Sequence, residues 1–231
     1  FNMRGKKRIW NCLMALTFIA ATGTDIGKTY ITCLLIKNAS KMGKTVRGVK
    51  PVISGFDENK INESDAGHIL DAMGQSLTME NVREISPWRF SAALSPDMAA
   101  RREDATISLP PLVDFCNNLD SDTPTLVEGV GGVMVPLNET DTTLDWQAAL
   151  NAKCFLVTGS YLGTLSHTMT ALEALKERGI TLSAIIINSS ESAPVSEQET
   201  AETLGRFVTD IPIHIVLRNA DTLPEELVLT L

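Results

Sequence analysis

The chain has no surplus of basic residues, no closely paired cysteines and no apolar run long enough to cross a membrane. Its 231 residues include 20 Lys and Arg against 28 Asp and Glu, which gives a formal net charge of −8. A general nucleic-acid binder needs basic residues to neutralise phosphates, so this balance argues against one. The balance still allows one anionic ligand held in a locally positive pocket.

The four cysteines are far apart in the sequence and form no Cys-x-x-Cys pair. They are Cys12, Cys33, Cys116 and Cys154. A disulfide framework or a cysteine-bound metal cluster is therefore not expected, and a reducing cytoplasm suits the chain best. We interpret the cysteines as small core residues.

The N-terminal segment has the pattern of a signal peptide, because a basic start at 3–8 is followed by an apolar run at 9–21. The run is too short to span a membrane. Cleavage after it would also remove the strand that feeds the loop described below. We therefore expect residues 1–13 to be a non-native or dispensable extension, with Met14 as a functional start. Residues 14–231 have no internal repeat, low-complexity segment or linker, and we expect them to form a single domain.

Short apolar runs alternate with longer helical patterns along the chain. Strands are predicted at Leu16–Ala21, 45–49, Thr125–Glu128, Lys153–Thr158, Leu182–Asn188 and Ile213–Val216, and helices at Lys28–Lys41, 64–73, 109–118, 164–178 and 196–208. The runs at 154–157 and 184–187 are apolar throughout, which is typical of strands buried on both faces. We therefore predict a doubly wound α/β fold of the P-loop NTPase type, a mostly parallel sheet with helices on both faces. In such folds, ligands bind beyond the carboxyl ends of the strands.

A loop of small and turn-forming residues joins the first predicted strand to the first predicted helix. It reads Thr22-Gly23-Thr24-Asp25-Ile26-Gly27-Lys28-Thr29. Backbone N–H groups and a helix N-terminus can hold phosphates there, with Lys28 reaching the terminal phosphates and Thr29 offering its hydroxyl to Mg²⁺. The strict pattern G-x-x-x-x-G-K-[ST] is not met, since Thr22 occupies the place of its first glycine. The alternative is an ordinary strand–turn–helix connection with an incidental Gly-Lys-Thr.

Three further segments favour a phosphate loop, because each places a charged residue at the end of a predicted strand or helix. Lys50 precedes a proline-stiffened turn at 51–55 and could meet a developing anion, or be an ordinary solvated lysine. Asp65 lies at a helix start, where Ser64 or Asp65 could instead serve as a cap. Glu128 ends a buried strand before a glycine-rich turn and could complete a Mg²⁺ site, or be exposed in a hairpin turn.

Taken in order, these segments resemble the dethiobiotin synthetase family, ATP-dependent carboxylases that act late in biotin synthesis. The resemblance spans about 17–188 and rests on the phosphate loop, Lys-Pro-Val-Ile-Ser-Gly at 50–55, Ser-Asp-Ala at 64–66, Val-Glu-Gly-Val-Gly-Gly at 127–132 and Asn188. The blocks that begin at Lys50 and Glu128 are the most specific.

The resemblance implies a reaction without a covalent enzyme intermediate. The diamino acid 7,8-diaminopelargonate would react with CO₂ to give a carbamate, and ATP would phosphorylate the carbamate. The second amine would then close a cyclic urea with loss of phosphate, leaving ADP. Positioning and charge neutralisation would dominate the catalysis. Mg²⁺, ATP as co-substrate and a homodimer with the substrate site at its interface are also implied.

The resemblance assigns roles to particular positions. Catalytic roles fall to Lys28, Lys50 and Ser54. The nucleotide would contact Thr24, Asp25, Ile26, Gly27, Lys28, Thr29 and Asn188, the last at the position that reads adenine. Mg²⁺ would be surrounded by Thr29, Asp65 and Glu128. The substrate would contact Lys50, Ser54, Gly131, Thr164, Leu165 and Ser166, the last three at a helix start that receives the substrate carboxylate. The alternative at that helix start is a Thr or Ser cap without a ligand.

The chain departs from the family pattern in three places. Many members of the family read Gly-Thr-Asp-Thr-x-x-Gly-Lys-Thr in the loop. An ungapped alignment with this pattern puts Ala21 at its first glycine and keeps the loop length. Aligning 22–25 with the start of the pattern instead requires a two-residue deletion. Ser166 stands where Asn is common, and the tail at 215–219 lacks the usual Gly-x-Ile-Pro.

A partitioning or positioning ATPase of the ParA/MinD type is the alternative function, since such proteins share this sheet. They carry a second lysine early in the loop, and 21–27 holds none. They often end in a basic membrane helix, whereas the segment 223–227 is acidic. An amidotransferase-linked synthetase of the cobyrinate type would need a glutaminase domain, for which 231 residues leave no room. A nucleotide-binding scaffold without activity is a further alternative.

Overall fold

A six-stranded parallel sheet forms the centre of the computed structural model, which describes residues 16–231. In chain order the strands are β1 Leu16–Ala21, β2 Arg47–Val49, β3 Val52–Ser54, β4 Trp88–Phe90, β5 Thr125–Glu128, β6 Lys153–Thr158, β7 Leu182–Asn188 and β8 Ile213–Val216. The central sheet has the order β2-β5-β1-β6-β7-β8, and β3 pairs with β4 in a small parallel sheet of its own. The expected domain start at Met14 and the expected extension 1–13 lie outside the described residues.

Nine α-helices connect these strands within the described residues. They are α1 Lys28–Lys41, α2 Asp65–Ala72, α3 Met79–Ile85, α4 Pro96–Arg102, α5 Leu109–Asn117, α6 Thr143–Leu150, α7 Thr164–Glu177, α8 Glu197–Gly205 and α9 Glu225–Leu229, with a 3₁₀ segment at Glu58–Glu63. From β1 the chain crosses to β2 on one side of the sheet, and β6, β7 and β8 follow on the other side. Right-handed crossovers in both directions put helices on both faces, which confirms the predicted doubly wound fold. None of the helices between 16 and 231 combines the length and the apolar character needed to cross a membrane.

The central strands are buried on both faces, as their apolar runs predict. Residues 154–157 of β6 are fully inaccessible to solvent, and 184–187 of β7 are at most 1% exposed. On β1, the ring of Phe18 meets that of Trp146 edge to face at 5.0 Å, and this contact packs α6 against the sheet. Cys116 and Cys154 are buried thiols in this core, as expected, whereas Cys33 is only partly buried and Cys12 lies outside the described residues.

One expected turn is a strand. The segment 51–55 was expected to be a proline-stiffened turn, but its middle forms β3, which pairs with β4 in the register Val52↔Trp88. The chain is held on both sides of the proline, because the Lys50 N–H donates to the Ile85 carbonyl and the Trp88 N–H to the Pro51 carbonyl, each at 3.0 Å. Lys50 therefore lies between two paired strands, and its backbone is fixed more firmly than a turn would fix it.

The remaining element predictions differ from the structure only at the ends. The second strand begins at Arg47 rather than at 45, and the helices predicted at 64–73, 109–118, 164–178 and 196–208 are one to four residues shorter. At two of them the first predicted residue, Ser64 or Ser196, is the N-cap, whose side chain accepts a backbone N–H of the first turn.

Candidate active site

The phosphate loop, residues 22–27, runs from the carboxyl end of β1 to the start of α1. Two of its residues have left-handed backbone, Asp25 with φ 57° and Gly27 with φ 94°. At Gly27 a side chain would also clash with the Asn188 amide, so the position requires glycine. At Gly23 a Cβ would meet only the Ile26 side chain, at 3.7 Å, which is an ordinary contact. The loop conformation therefore depends on Gly27 and not on Gly23.

Asn188 holds the phosphate loop from the end of β7. Its side-chain Nδ2 donates to the Ile26 carbonyl at 2.9 Å. The expected role of Asn188 in reading adenine stays a prediction, and the structure adds a second role, since the same side chain ties the loop to the sheet.

Lys28, the first residue of α1, points its amine into the concave side of the loop. The side chain is 6% exposed, and Nζ donates to the carbonyls of Gly131 at 2.7 Å and Gly23 at 3.3 Å. Burial, followed by repulsion from Lys50, lowers the pKa of Lys28 to about 8. Both of these hydrogen-bond partners are uncharged carbonyls. A bound anion would therefore lower the free-energy cost of keeping the buried amine protonated.

Lys50 lies between two carboxylates. Its Nζ is 2.6 Å from Glu128 Oε1 and 2.9 Å from Asp65 Oδ2. Burial by itself lowers the pKa of Lys50, but the attraction of Glu128 and Asp65 outweighs it, so that the pKa lies above its usual value. The alternative of a solvated lysine is wrong, because Lys50 is only 5% exposed.

Thr29 joins the same two carboxylates from the phosphate loop side. Its hydroxyl lies 2.6 Å from Glu128 Oε1 and 2.9 Å from Asp65 Oδ1, so its single proton can serve only one of them at a time. Burial raises the pKa of Asp65, but Lys50 and the Thr29 hydroxyl lower it by more, so that the pKa lies below its usual value. Thr29, Lys50, Asp65 and Glu128, from four separate segments, thus meet in one charged network.

The local structure leaves Asp65 free to take part in this network. Ser64 is the cap of α2, since its Oγ accepts the Gly67 N–H at 3.0 Å. Of the two capping residues considered, the structure therefore selects Ser64, and the Asp65 carboxylate turns toward Lys50.

Glu128 is fully buried at the end of β5, which excludes the alternative of an exposed residue in a hairpin turn. The next residue is Gly129, where a Cβ would come within 2.8 Å of the Phe18 ring. Glu128 Oε2 has no hydrogen-bond partner among the residues that the structure describes. A buried carboxylate oxygen without a partner is costly, which indicates a ligand at this position.

The donor set of Thr29, Asp65 and Glu128 fits Mg²⁺. One hydroxyl and two carboxylates are the hard oxygen ligands that this ion prefers, and Oε2 of Glu128, which no residue in 16–231 satisfies, is a further acceptor. Residues 16–231 contain no group of three or more His, Cys, Asp or Glu side chains that could hold a metal by themselves. Mg²⁺ bound here would keep water or phosphate oxygens among its ligands, as this ion usually does beside nucleotides.

A cavity of about 760 Å³ opens beside this network. Its lining combines predicted site residues with a group that the sequence did not indicate: Thr24, Asp25, Gly27, Lys28, Thr29, Lys50, Ser54, Asp65 and Gly131 of the first kind, and Ala93, Leu94, Ser95, Pro96, Val130 and Val135 of the second. Ser54 Oγ is buried without a hydrogen-bond partner within 16–231. Most residues of the second group are apolar. The sequence signal for part of this group was the Ser-Pro pair at 95–96, which is typical of a helix start.

The first turn of α7 does not line this cavity of its own chain. Thr164 is 4% exposed, and its hydroxyl is bound to the Gly159 carbonyl at 2.7 Å, while Leu165 and Ser166 face solvent. The alternative of a Thr or Ser cap is wrong, because the cap is Gly163 in left-handed backbone without a side-chain hydrogen bond. The three residues thus stand apart from the other predicted substrate contacts.

Solved structures similar in shape agree with the P-loop NTPase-like fold. The septum site-determining protein MinD of Pyrococcus horikoshii, complexed with Mg-ADP, superimposes with a TM-score of 0.53 at 15% identity, covering 87% of this chain and 80% of that chain. A ParA family ATPase of Chlorobium tepidum reaches a TM-score of 0.51 at 15% identity, covering 93% and 86%. At this level of identity the likeness concerns the fold alone.

Sequence comparison identifies the family. A family model described as an AAA domain matches residues 16–223. The ATP-dependent dethiobiotin synthetase BioD of Acidiphilium cryptum is 46% identical over 202 residues, which are 86% of this chain and 91% of that protein. The protein of the same name from Phenylobacterium zucineum is 39% identical over 89% of this chain and 90% of its own length. This chain therefore belongs to the family of ATP-dependent dethiobiotin synthetases.

Proposed function

We propose that the protein carboxylates 7,8-diaminopelargonate with CO₂ and closes the product to dethiobiotin at the expense of ATP, releasing ADP and phosphate. The observation that carries the proposal is the convergence of Lys28, Lys50, Thr29, Asp65 and Glu128 beside one cavity. A cyclo-ligase that forms a phosphorylated carbamate needs cationic groups for the phosphates and an ordered site for the amine. The lining of the cavity includes the amines of Lys28 and Lys50 and a group of mostly apolar residues.

The residues divide the work by charge. Lys28 and the backbone N–H groups of 24–27 bind the phosphates of ATP, since they form the concave side of a loop at a helix N-terminus. Lys50 stabilises the charge that develops on the carbamate and the transferring phosphoryl group. Ser54, whose hydroxyl has no partner within the described part of the chain, binds the carbamate or the substrate. Asn188 reads the adenine with the part of its amide that the Ile26 carbonyl leaves free.

Thr29, Asp65 and Glu128 would hold Mg²⁺, which supplies Lewis-acid neutralisation of the phosphate charge when it is bound. The chain holds the two carboxylates together without the ion, because Lys50 lies between them and offsets part of their charge.

A homodimer would complete the site. The first turn of α7, with Thr164, Leu165 and Ser166, lies away from the cavity of its own chain. Leu162 stands beside it with 86% of its surface exposed. An exposed leucine next to a free helix N-terminus suits an interface in which the turn of one protomer receives the substrate carboxylate in the cavity of its partner.

The direct test is incubation of the protein with diaminopelargonate, bicarbonate, Mg²⁺ and ATP, with mass spectrometry for the cyclic urea and an assay for phosphate. We expect one phosphate per cyclic urea. ATP turnover that does not respond to the diamine would contradict the proposal and favour a switch ATPase.

Lys50→Ala tests the division of work. Because the Lys50 charge is already balanced by two carboxylates, we expect the variant to bind ATP within about tenfold of the parent affinity and to lose more than that in kcat. An equal loss in both quantities would move Lys50 to a nucleotide-binding role. Lys37→Ala, which breaks only an exposed pair with Asp71, is the matched control.

A further inference from the structure

Four threonines form a line of hydroxyls between the phosphate loop and the first turn of α7. Thr158, at the end of β6, is at its centre and is completely buried. Its Oγ1 lies 3.3 Å from Thr22 Oγ1, 2.9 Å from Thr164 Oγ1 and 2.7 Å from Thr168 Oγ1. Thr22 is the first residue of the loop, and Thr164 and Thr168 belong to α7. The line therefore joins two parts of the molecule that have separate roles in the proposed reaction.

A count of protons gives the line a direction, because each hydroxyl can donate only once. Thr168 donates to the Thr164 carbonyl and Thr164 to the Gly159 carbonyl, both at 2.7 Å. With both of those protons used, a hydrogen bond between Thr158 and α7 takes the proton of Thr158, and the shorter distance favours Thr168 as its acceptor. In that arrangement Thr22 donates to Thr158.

The backbone reinforces the link on the loop side. The Thr22 N–H donates to the Val157 carbonyl at 3.0 Å, so the start of the loop follows the end of β6. On the other side, Thr164 is 4% exposed and Thr168 is fully buried, so α7 is held by groups that water does not reach. Hydrogen bonds in such surroundings are costly to leave unmade, and a shift at one end changes the geometry at the other.

We propose that Thr158 is a positioning residue that couples the phosphate loop to the first turn of α7, so that nucleotide bound in the loop orders the α7 turn for an anion. This inference rests on the proposed function for the identity of the two ligands. Since the α7 turn does not line the cavity of its own chain, in the proposed homodimer the coupling would run from the loop of one protomer to the substrate site of its partner.

Hydrogen–deuterium exchange of the full chain, with and without saturating MgADP, tests the proposal at 22–27 and at 164–168. In the parent protein we expect MgADP to slow exchange at least about fivefold in both segments, the lower end of typical coupling. Thr158→Ser keeps the hydroxyl and should retain both effects. Thr158→Val removes it and should retain only the effect at 22–27.

The matched control is Thr200→Val. Thr200 is a buried helical threonine whose hydroxyl donates to the carbonyl four residues earlier, as Thr168 does, but it lies in α8 outside the hydroxyl line. This variant should respond to MgADP as the parent protein does. If Thr158→Val does not fold, Thr22→Val breaks the line at its half-buried end and should give the same pattern.

The outcomes separate the two proposals. Slowing at 22–27 without slowing at 164–168 in the parent protein would overturn the coupling alone, as would an α7 response that persists in Thr158→Val. No slowing at 22–27 would count against the proposed nucleotide site. In that case the positioning role of Thr158 is tested by exchange without nucleotide. Thr158→Val should exchange faster at 164–168 than the parent protein, and an unchanged rate would overturn the positioning role.

Discussion

The Lys50→Met variant tests whether Lys50 holds the charged network together before any ligand binds. Methionine is close to lysine in length and removes only the charge and the donors. After the change, Glu128 would keep one donor, the Thr29 hydroxyl at 2.6 Å, and would face Asp65 without an intervening cation. Glu128 is fully buried, so water is a poorer partner for its charge than the lost ammonium.

The magnitude follows from the burial of the two carboxylates. Removing one partner of a buried ion pair typically costs about 3–5 kcal/mol, because an uncompensated charge remains. We assign this cost to Glu128 and little to Asp65, whose side chain is 40% exposed and is screened by water. For a chain of this size, each kcal/mol corresponds to about 2–4 °C in Tm, so Lys50→Met should melt about 6–20 °C below the parent protein.

Urea titrations and thermal melts in metal-free and nucleotide-free buffer measure this effect. Lys37→Met is the control, since Lys37 pairs with Asp71 at 3.1 Å on the surface and its loss should change the free energy of unfolding by less than about 1 kcal/mol. The double variant Lys50→Met/Glu128→Gln removes both buried charges and should recover most of the loss. A Lys50→Met protein as stable as Lys37→Met, or a double variant no more stable than Lys50→Met, would refute the reasoning.

Three further predictions concern the loop, α2 and β5. Because the pKa of Lys28 is about 8 in the unliganded protein, ATP binding above that pH should take up a proton, and the affinity for ATP should fall there by up to about tenfold per pH unit. Calorimetry in two buffers of different ionisation enthalpy measures the proton uptake, and its absence would argue against contact between Lys28 and phosphate. Ser64→Ala should remove the cap of α2 and lower the free energy of unfolding, measured by urea titration, by about 1 kcal/mol. It should also reduce kcat, because Asp65 would be held less firmly, whereas Ser64→Asp should preserve both the stability and kcat. Gly129→Ala should lower the free energy of unfolding by about 1–3 kcal/mol, because the new Cβ meets the Phe18 ring at 2.8 Å. If Gly129→Ala lowers the free energy of unfolding equally in a Phe18→Leu background, the contact with Phe18 is not the cause.

The strands of the central sheet that are buried on both faces could be predicted from their apolar residues. The bounds of β1, β5, β6, β7 and β8 agree with the predictions residue by residue, although β8, at the edge of the sheet, is only partly buried. The paired strands β3 and β4 were missed. Each has three residues, and their register joins Val52 to Trp88, a contact over 36 positions that no local pattern encodes. Four helices of five to eight residues were missed as well, because about two turns show little of a helical period; α2, also of eight residues, was predicted.

The charged network could be predicted in its members but not in its contacts. Lys50 follows β2, Asp65 begins α2 and Glu128 ends β5, all at the carboxyl edge of the sheet, and that edge brings them together. Their pairing depends on the register that sets Ile19 beside Glu128 and on the choice of Ser64 as the cap. The hydrogen bond from Asn188 to the Ile26 carbonyl could not be predicted from the sequence either, since an amide at a strand end can face a nucleotide base or a loop.

The two lysines of the cavity differ in a way that neither sequence position nor residue type reveals. Within 16–231, the hydrogen-bond partners of the Lys28 amine are neutral carbonyls, and burial brings its pKa down to about 8. The protonated amine is therefore costly to hold, and a bound phosphate would lower that cost. The charge of Lys50 is compensated by Glu128 and Asp65, and their attraction keeps its pKa above the usual value. An anion entering the cavity is therefore attracted mainly by Lys28. Lys50 contributes most when the charge on the reacting groups changes, which is why its loss should appear in kcat before it appears in ATP affinity.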